Sequence, residues 1–271
     1  MCELTAQQLK QLIADTREKA FLIVDVRQAA EYRLDHIPGA VNIPLAKIEF
    51  DPFVSDETRK VIFYCRHGSR STVAVVLATD VGLKKENAFH LRGGMMAYTG
   101  EILLDVPRVD LFSSGMTLVA VMERAINFEK GAFLFYNAAK KKFIGTPLHG
   151  TMVKMSQAEV GHAKIIFKML SAHESGSLSF EDVFDRCPGD ILEGGKSLGE
   201  MNRFLDGVSP ENKVDILEVA IDLEFCAYDL YKTMAERSKG PVIKNMFFTL
   251  AEAEKDHLST MINSLELIYP E

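Results

Sequence analysis

Ala158-Glu159-Val160-Gly161-His162 is echoed 95 residues later by Ala253-Glu254-Lys255-Asp256-His257. The same step carries Glu123 to Glu218, Glu129 to Glu224 and Tyr136 to Tyr231. Each copy supplies one Glu from a first amphipathic segment and a Glu-x-x-His from a second. Two copies give four carboxylates and two imidazoles, the ligand set that holds two iron or manganese ions inside a four-helix bundle. Buried carboxylates are costly, and a metal pair is one of the few partners that makes so many worth burying.

Helical spacing supports this reading. Residues three apart share a helix face, so Glu159 lies beside His162 and Glu254 beside His257. Tyr136 and Tyr231 follow Glu129 and Glu224 by seven residues, close to two turns, on the same face. Glu129 sits among Ile126, Phe128, Ala132 and Phe133, and Glu224 among Ile221, Leu223, Ala227 and Tyr228, so both carboxylates interrupt apolar stripes. A lone Glu-x-x-His is usually a solvated pair; the conjunction of both motifs with one shared offset raises it above that. Glu123 and Glu218 point away and read as surface, and Met122, Met152, Met155 and Met169 read as core filler.

Working outward, helical periodicity runs over about 116–139, 149–173, 211–238 and 241–268. Ser113 or Ser114 suits the N-cap of the first helix, Gly240 the end of the third and Pro241 the first turn of the fourth. Short connections make the first pair and the last pair antiparallel hairpins. The Gly-, Ser- and Pro-rich stretch 174–209 is long for a loop, and a crossover along a bundle explains it. The first hundred residues differ. Phe21–Val26 and Val61–Cys65 read as buried strands of a largely parallel sheet, with a last strand at Phe89-His90-Leu91. Helical patterns lie at 5–14 and 70–81, the latter with Val73, Ala74, Val76 and Leu77 on one side. Alternating strands and helices predict an α/β domain over 1–105, a linker over 106–115 and a helical domain over 116–271.

The net charge of −7 and the lack of a basic stripe argue against nucleic acid; Lys140, Lys141 and Lys142 read as a solvated helix end. No apolar run reaches spanning length and the N-terminus has no signal pattern, so no membrane partner is expected. Four cysteines without a CxxC pair indicate a reducing cytoplasm and argue against a four-cysteine iron centre.

Cys65 ends a strand and is followed by Arg66-His67-Gly68-Ser69-Arg70 and a helix. Such a turn aims backbone N–H groups and the positive helix end into a bowl, which lowers a thiol's pKa and favours a thiolate or persulfide anion. His67, Gly68 and Ser69 line that bowl, Gly68 allows its sharp path, and Arg66 and Arg70 add positive charge toward an anionic sulfur donor. Tyrosine and dual-specificity phosphatases place five residues between Cys and Arg. Only four separate Cys65 from Arg70, so the bowl suits a sulfur-sized group better than phosphate. Cys2 reads as a disordered terminal residue, Cys187 as a resolving thiol only if it approached Cys65, and Cys226 as packing.

With Asp25-Val26-Arg27, Glu31-Tyr32, His36-Ile37-Pro38-Gly39-Ala40, Asn42-Ile43-Pro44 and Leu91-Arg92-Gly93-Gly94, residues 1–100 resemble the rhodanese sulfurtransferase domain. The resemblance implies that Cys65 is the sulfur-accepting nucleophile. Arg27 and Glu31 are expected to form a structural pair, Asp25 has no assigned role, and Asp35 stands where the family usually has Gly. Residues 113–269 resemble the rubrerythrin branch of the ferritin-like superfamily. That implies Glu129, Glu159, His162, Glu224, Glu254 and His257 as ligands, with Glu159 and Glu254 bridging. Two departures stand out. Ile221 and Ala227 occupy the positions three away from Glu224, so the family's extra ligand Glu is missing there; the rubredoxin-like tail is missing too.

The expected fold is therefore an α/β rhodanese-like domain followed by an all-α ferritin-like four-helix bundle. The expected function is sulfane-sulfur transfer through a Cys65 persulfide, combined with O2- or peroxide-reducing chemistry at two iron ions, manganese or a mixed pair being the alternative. Its partners would be thiosulfate or a persulfide as donor, a thiol acceptor and an external electron donor. The resemblance allows a homodimer, although four helices in one chain already complete the site. The fusion suggests that the two activities are used together. The competing reading is a non-catalytic metal-binding and sulfur-carrier protein.

Overall fold

The computed structural model describes residues 2–51, 59–113, 115–173 and 179–268, which form two compact units. One comprises Met1–Pro107 with Tyr231–Glu252, the other Arg108–Leu230 with Ala253–Glu271.

In the first unit five strands, β1 (Cys2–Leu4), β2 (Phe21–Asp25), β3 (Val41–Asn42), β4 (Lys60–Tyr64) and β5 (Ala88–Leu91), form one sheet ordered β1-β5-β4-β2-β3. Every pairing is parallel. Cys2, expected to be a disordered end, instead pairs with Phe89 in β1. Phe21–Val24 of β2 and Val61–Tyr64 of β4 are unbroken apolar runs because both faces of the sheet are covered there. Leu22, Val24, Val61 and Phe63 pack on one face, and Phe21, Ile23, Ile62 and Tyr64 on the other, the two-residue alternation of a strand. Helices α1 (Ala6–Asp15) and α2 (Ala29–Leu34) supply Leu9 and Tyr32 to the second face. Helix α3 (Ser69–Asp80) covers the first. It does so with Ala74, Val75 and Ala78, not with the predicted Val73 and Val76, which stay exposed. The buried set Ser71, Ala74, Val75, Ala78 follows the i, i+3, i+4, i+7 stripe. Strand β4 stops at Tyr64, so Cys65 is the first residue beyond the carboxyl edge, where open α/β sheets bind ligands.

The first unit also buries a charged cluster. Lys232, fully buried, lies 3.1 Å from Glu18 and 3.6 Å from Glu236, and Arg59 lies 2.7 Å from Glu236. Opposite charges placed this closely offset the cost of removing each from water.

In the second unit α4 (Leu118–Lys142) and α5 (Leu148–Ser171) run antiparallel. Thr117 caps α4 by accepting from Ala120 N–H; this corrects the predicted cap at Ser113, while Ser114 lies outside the described residues. Lys140, Lys141 and Lys142 occupy the last turn of α4, where the helix dipole favours cations. The Gly-, Ser- and Pro-rich composition of 174–209 predicts an irregular crossover. Residues 174–178 lie outside the described residues, but beyond them come α6 (Phe180–Arg186) and α7 (Leu198–Gly207). Both start on capping boxes, Ser179 with Asp182 and Ser197 with Glu200; serines three residues before an acid are helix starts as well as loop formers. Helices α8 (Lys213–Arg237) and α9 (Pro241–Ile268) complete the fold. Ala132, Phe135, Tyr136, Met152, Leu217 and Met261 are among the core residues of this unit. Among the described residues no helix is long and apolar enough to cross a membrane.

Candidate metal centre and cysteine loop

The six repeat residues come from four helices and converge. Glu129, Glu159, His162, Glu224, Glu254 and His257 are each no more than 6% exposed. His162 Nδ1 lies 3.2 Å from Glu129 Oε2, and His257 Nδ1 lies 2.8 Å from Glu224 Oε2. Glu159 lies 3.5 Å from each of the two imidazole nitrogens. Glu254 lies 3.0 Å from that of His257 and 3.7 Å from that of His162. Glu129 and Glu224 thus each serve one imidazole, whereas Glu159 and Glu254 each reach both. Tyr136, fully buried, donates its hydroxyl to Glu224 Oε1 across the bundle. Glu123 and Glu218 face solvent.

Crowding sets the protonation. Burial, with the neighbouring carboxylates, pushes Glu159 and Glu254 well above the ordinary carboxylate range. Burial opposes charge on His257, but Glu159 and Glu224 outweigh it and raise the imidazole to about 10. His162 is likewise raised, by Glu129 against burial. Glu254 Oε1 is buried without a hydrogen-bond donor. Oxygen and imidazole donors with an unpartnered carboxylate oxygen fit iron(II) or manganese(II). The groups Glu129–His162–Glu254, Glu159–His162–His257 and Glu224–Glu254–His257 each bring ligand atoms within 4.8 Å of one another.

One further residue joins them that sequence reasoning passed over. Glu193, in the crossover, is 6% exposed and its ligand atom lies within 4.8 Å of those of Glu129 and Glu159. Its only sequence signal was the tight turn marked by Gly194 and Gly195, which both adopt positive φ.

In the first unit, Cys65 Sγ is buried and accepts from Gly68 N–H at 3.1 Å. Burial raises the thiol pKa, but the N–H groups of Ser71, Gly68 and His67 outweigh it and leave it below the ordinary value. Gly68 takes φ +104 at the start of α3. Gly94 is packed so tightly that a Cβ would meet Cys65 O at 2.1 Å, and Met95 and Met96 N–H donate to Cys65 O and Arg66 O at 2.9 and 3.1 Å. The Leu91-Arg92-Gly93-Gly94 run therefore braces the loop backbone. Arg66, His67 and Ser69 are exposed at its rim. Arg66, Glu31, Arg27, Met95 and Tyr98 line an adjoining cavity of about 310 Å³.

The predicted Arg27–Glu31 pair is not formed. Arg27 forks onto buried Asp25 at 2.8–3.1 Å and reaches Asp35 at 2.7 Å, which gives both acids a role. Glu31 instead takes a bidentate bond from Arg70, both contacts 2.7 Å. That bond, against a small cost of burial, holds Glu31 down at about 2. It also anchors Arg70 beside Cys65, whose negative charge helps raise the guanidinium pKa. Of the other thiols, Cys187 is pushed up by burial and by Glu123, and Cys226 by burial to about 11; neither is activated.

A family model of the rhodanese-like domain matches residues 5–101. A sulfurtransferase of Allochromatium vinosum is 33% identical over 96 residues, 35% of this chain and 86% of that protein. This chain belongs to the rhodanese-like family. Its rhodanese-like domain is also similar to a putative sulfur carrier protein of Bacillus subtilis, 31% identical over 99 residues, 36% of this chain and 51% of that one. The chain thus spans most of the first relative and about half of the second. A crystal structure of a rhodanese-related protein from Thermoplasma volcanium is 25% identical, covering 39% of this chain and 100% of that one with a TM-score of 0.34. Beyond the rhodanese-like domain, a rubrerythrin family model matches residues 215–271, which hold Glu224, Glu254 and His257. The internal repeat carries the same pattern to Glu129, Glu159 and His162, outside that match.

Proposed function

We propose that the rhodanese-like domain transfers sulfane sulfur through Cys65 and that the helical domain holds two redox-active metal ions. The observation that carries the first part is the 3.1 Å bond from Gly68 N–H to Cys65 Sγ, in a loop whose N–H groups lower the thiol pKa. The Cys65 thiolate attacks the outer sulfur of thiosulfate. The donor S–S bond breaks, sulfite leaves with its electron pair, and Cys65 becomes a persulfide. An acceptor thiolate then attacks the outer sulfur and Cys65 leaves as thiolate. Arg70, held by Glu31, and Arg66 favour the anionic donor.

In the helical domain, Glu159 and Glu254, which each reach both imidazoles, would hold the ions together with Glu129 and His162 from one copy of the repeat and Glu224 and His257 from the other. An iron pair bound there would supply the two electrons that reduce O2 or hydrogen peroxide. Tyr136 orients Glu224, and the surrounding apolar residues exclude bulk water. An external electron donor completes the cycle.

The test is thiocyanate formation from thiosulfate and cyanide, lost in Cys65→Ser, together with peroxide consumption by iron-loaded protein, lost in Glu159→Gln. If the two activities are coupled, peroxide consumption driven by a persulfide or thiol also falls in Cys65→Ser; equal rates would separate them. A second reading, a sulfur carrier with a metal store, draws on the Bacillus relative's name. It predicts stoichiometric Cys65 persulfide and two bound ions without turnover in either assay.

A further inference from the structure

The crossover delivers Glu193 to the metal cluster by construction. Gly189 N–H donates to Asn127 Oδ1 at 2.8 Å, and Asn127 in turn donates to Asp190 Oδ1 at 3.1 Å, stitching the segment to α4. Ile191 and Ser197 form an antiparallel bridge, and Leu192 N–H donates to Lys196 O at 2.8 Å, so residues 192–196 make a tight turn. That turn is pressed against two helices where neither side can carry more atoms. A Cβ on Gly131 would lie 2.4 Å from Ile191 O, and a Cβ on Gly194, at φ +73, would lie 2.6 Å from Cys226 Cβ. Gly131 and Cys226 each follow a cluster carboxylate, Glu129 and Glu224, by two residues. The wedge leaves Glu193 facing Glu129 and Glu159.

A purely structural role does not account for its side chain. Glu193 Oε1 is buried without a hydrogen-bond donor, and the charged groups that perturb it are the carboxylates Glu129, Glu159 and Glu224. An unpartnered acceptor among like charges is a net cost that a cation removes.

We propose that Glu193 is a seventh protein ligand, a fifth carboxylate of the metal pair, bound to the ion on the Glu129–Glu159 side. The inference rests on the two-metal reading given above. The crossover joins the two halves of the repeat and belongs to neither hairpin, and 95 residues before Glu193 stands Tyr98, so the repeat supplies no matching carboxylate there. Glu193 therefore makes the two metal positions unequal. Four carboxylates balance two divalent ions, and the fifth adds negative charge on the Glu129 side, favouring a more highly charged ion there.

The experiment is anaerobic titration of metal-free full-length protein with cobalt(II), followed by calorimetry and by visible absorption, which reports coordination. Wild type is expected to bind two ions per chain with unequal affinities. In Glu193→Gln one step weakens by about 10-fold or more and its absorption shifts, while the other step is unchanged. Metal-free E193Q melts no lower than metal-free wild type, since it removes a repelled carboxylate; a structural Glu193 would make it melt lower. Should E193Q not fold, Glu193→Asp, which keeps the charge but shortens its reach, carries the same test. Two ions bound with wild-type affinity and spectrum in the variant overturn the ligand assignment and leave the six-residue site standing. No cobalt bound by wild type overturns both.

Discussion

The imidazoles of His162 and His257 stack with centroids 4.6 Å apart and planes 14° apart, each from a different copy of the repeat. Glu159 and Glu254 flank both rings, so the pair sits within a ring of carboxylates. This arrangement is self-repelling on its acidic side and calls for cations. Iron(II) or manganese(II) is expected to bind at two ions per chain and raise the melting temperature. At free metal 100 times Kd, mass action contributes about 2.7 kcal/mol per site. Differential scanning calorimetry with and without a chelator checks it; an unchanged melting temperature would sink the two-ion reading. His257→Ala should lose most of the gain.

Cys65 should react as a thiolate at neutral pH. Because its folded-state pKa lies below the ordinary value, the rate of alkylation by iodoacetamide, followed by mass spectrometry of the Cys65 peptide, should inflect below about pH 8.5. Cys187 and Cys226, both shifted upward, serve as internal slow references. Cys65 inflecting together with them would refute the bowl as its cause.

The Glu31–Arg70 pair should show in acid. Glu31 is depressed to about 2, so its contribution to stability is complete above the ordinary carboxylate pKa of about 4.3 and fades as pH falls toward 2. Both side chains are about one-third exposed, which keeps the contribution small. Urea melts of wild type and Glu31→Gln should differ slightly at pH 6 and coincide near pH 2. A gap that widens on acidification would contradict the sign.

Arg27→Met removes the fork from Asp25, which is fully buried. Leaving that acid without its cation should cost about 3–5 kcal/mol. Chemical denaturation measures it, and a loss under about 1 kcal/mol would mean that Asp25 takes up a proton at little cost.

Gly131→Ala drives a methyl group into Ile191 O and should destabilise by about 1–3 kcal/mol. Gly150→Ala, in α5 with open space around it, should be neutral or stabilise by up to about 1 kcal/mol. Thermal melts of the two variants separate close packing of the crossover from a general intolerance of alanine.

How much of the site was legible varied with the range of the interaction. The i, i+3 spacing of Glu159 with His162 and of Glu254 with His257 is local helix geometry, so periodicity alone puts each pair on one face. The shared 95-residue step then implies that two such faces meet. Cys65 followed by Gly68 and a helix is local in the same way, a strand end with a turn. Arg27 was different. Glu31 is four residues away and looked like its partner, yet Arg27 turns to Asp25 and Asp35 while Arg70 comes from the next β-α unit to claim Glu31. Glu193 carried no periodicity because it sits in a single non-repeated turn.

The linear chain thus determined the two sets of chemistry-bearing residues and the helices and strands that present them, because backbone periodicity is a property of neighbours. Which acid each arginine meets, Tyr136 reaching Glu224, and Glu193 entering the cluster were decided only by folding. Those pairings depend on which distant segments pack closely enough to exclude water, and charge–charge and hydrogen-bond energies become decisive only once that has happened.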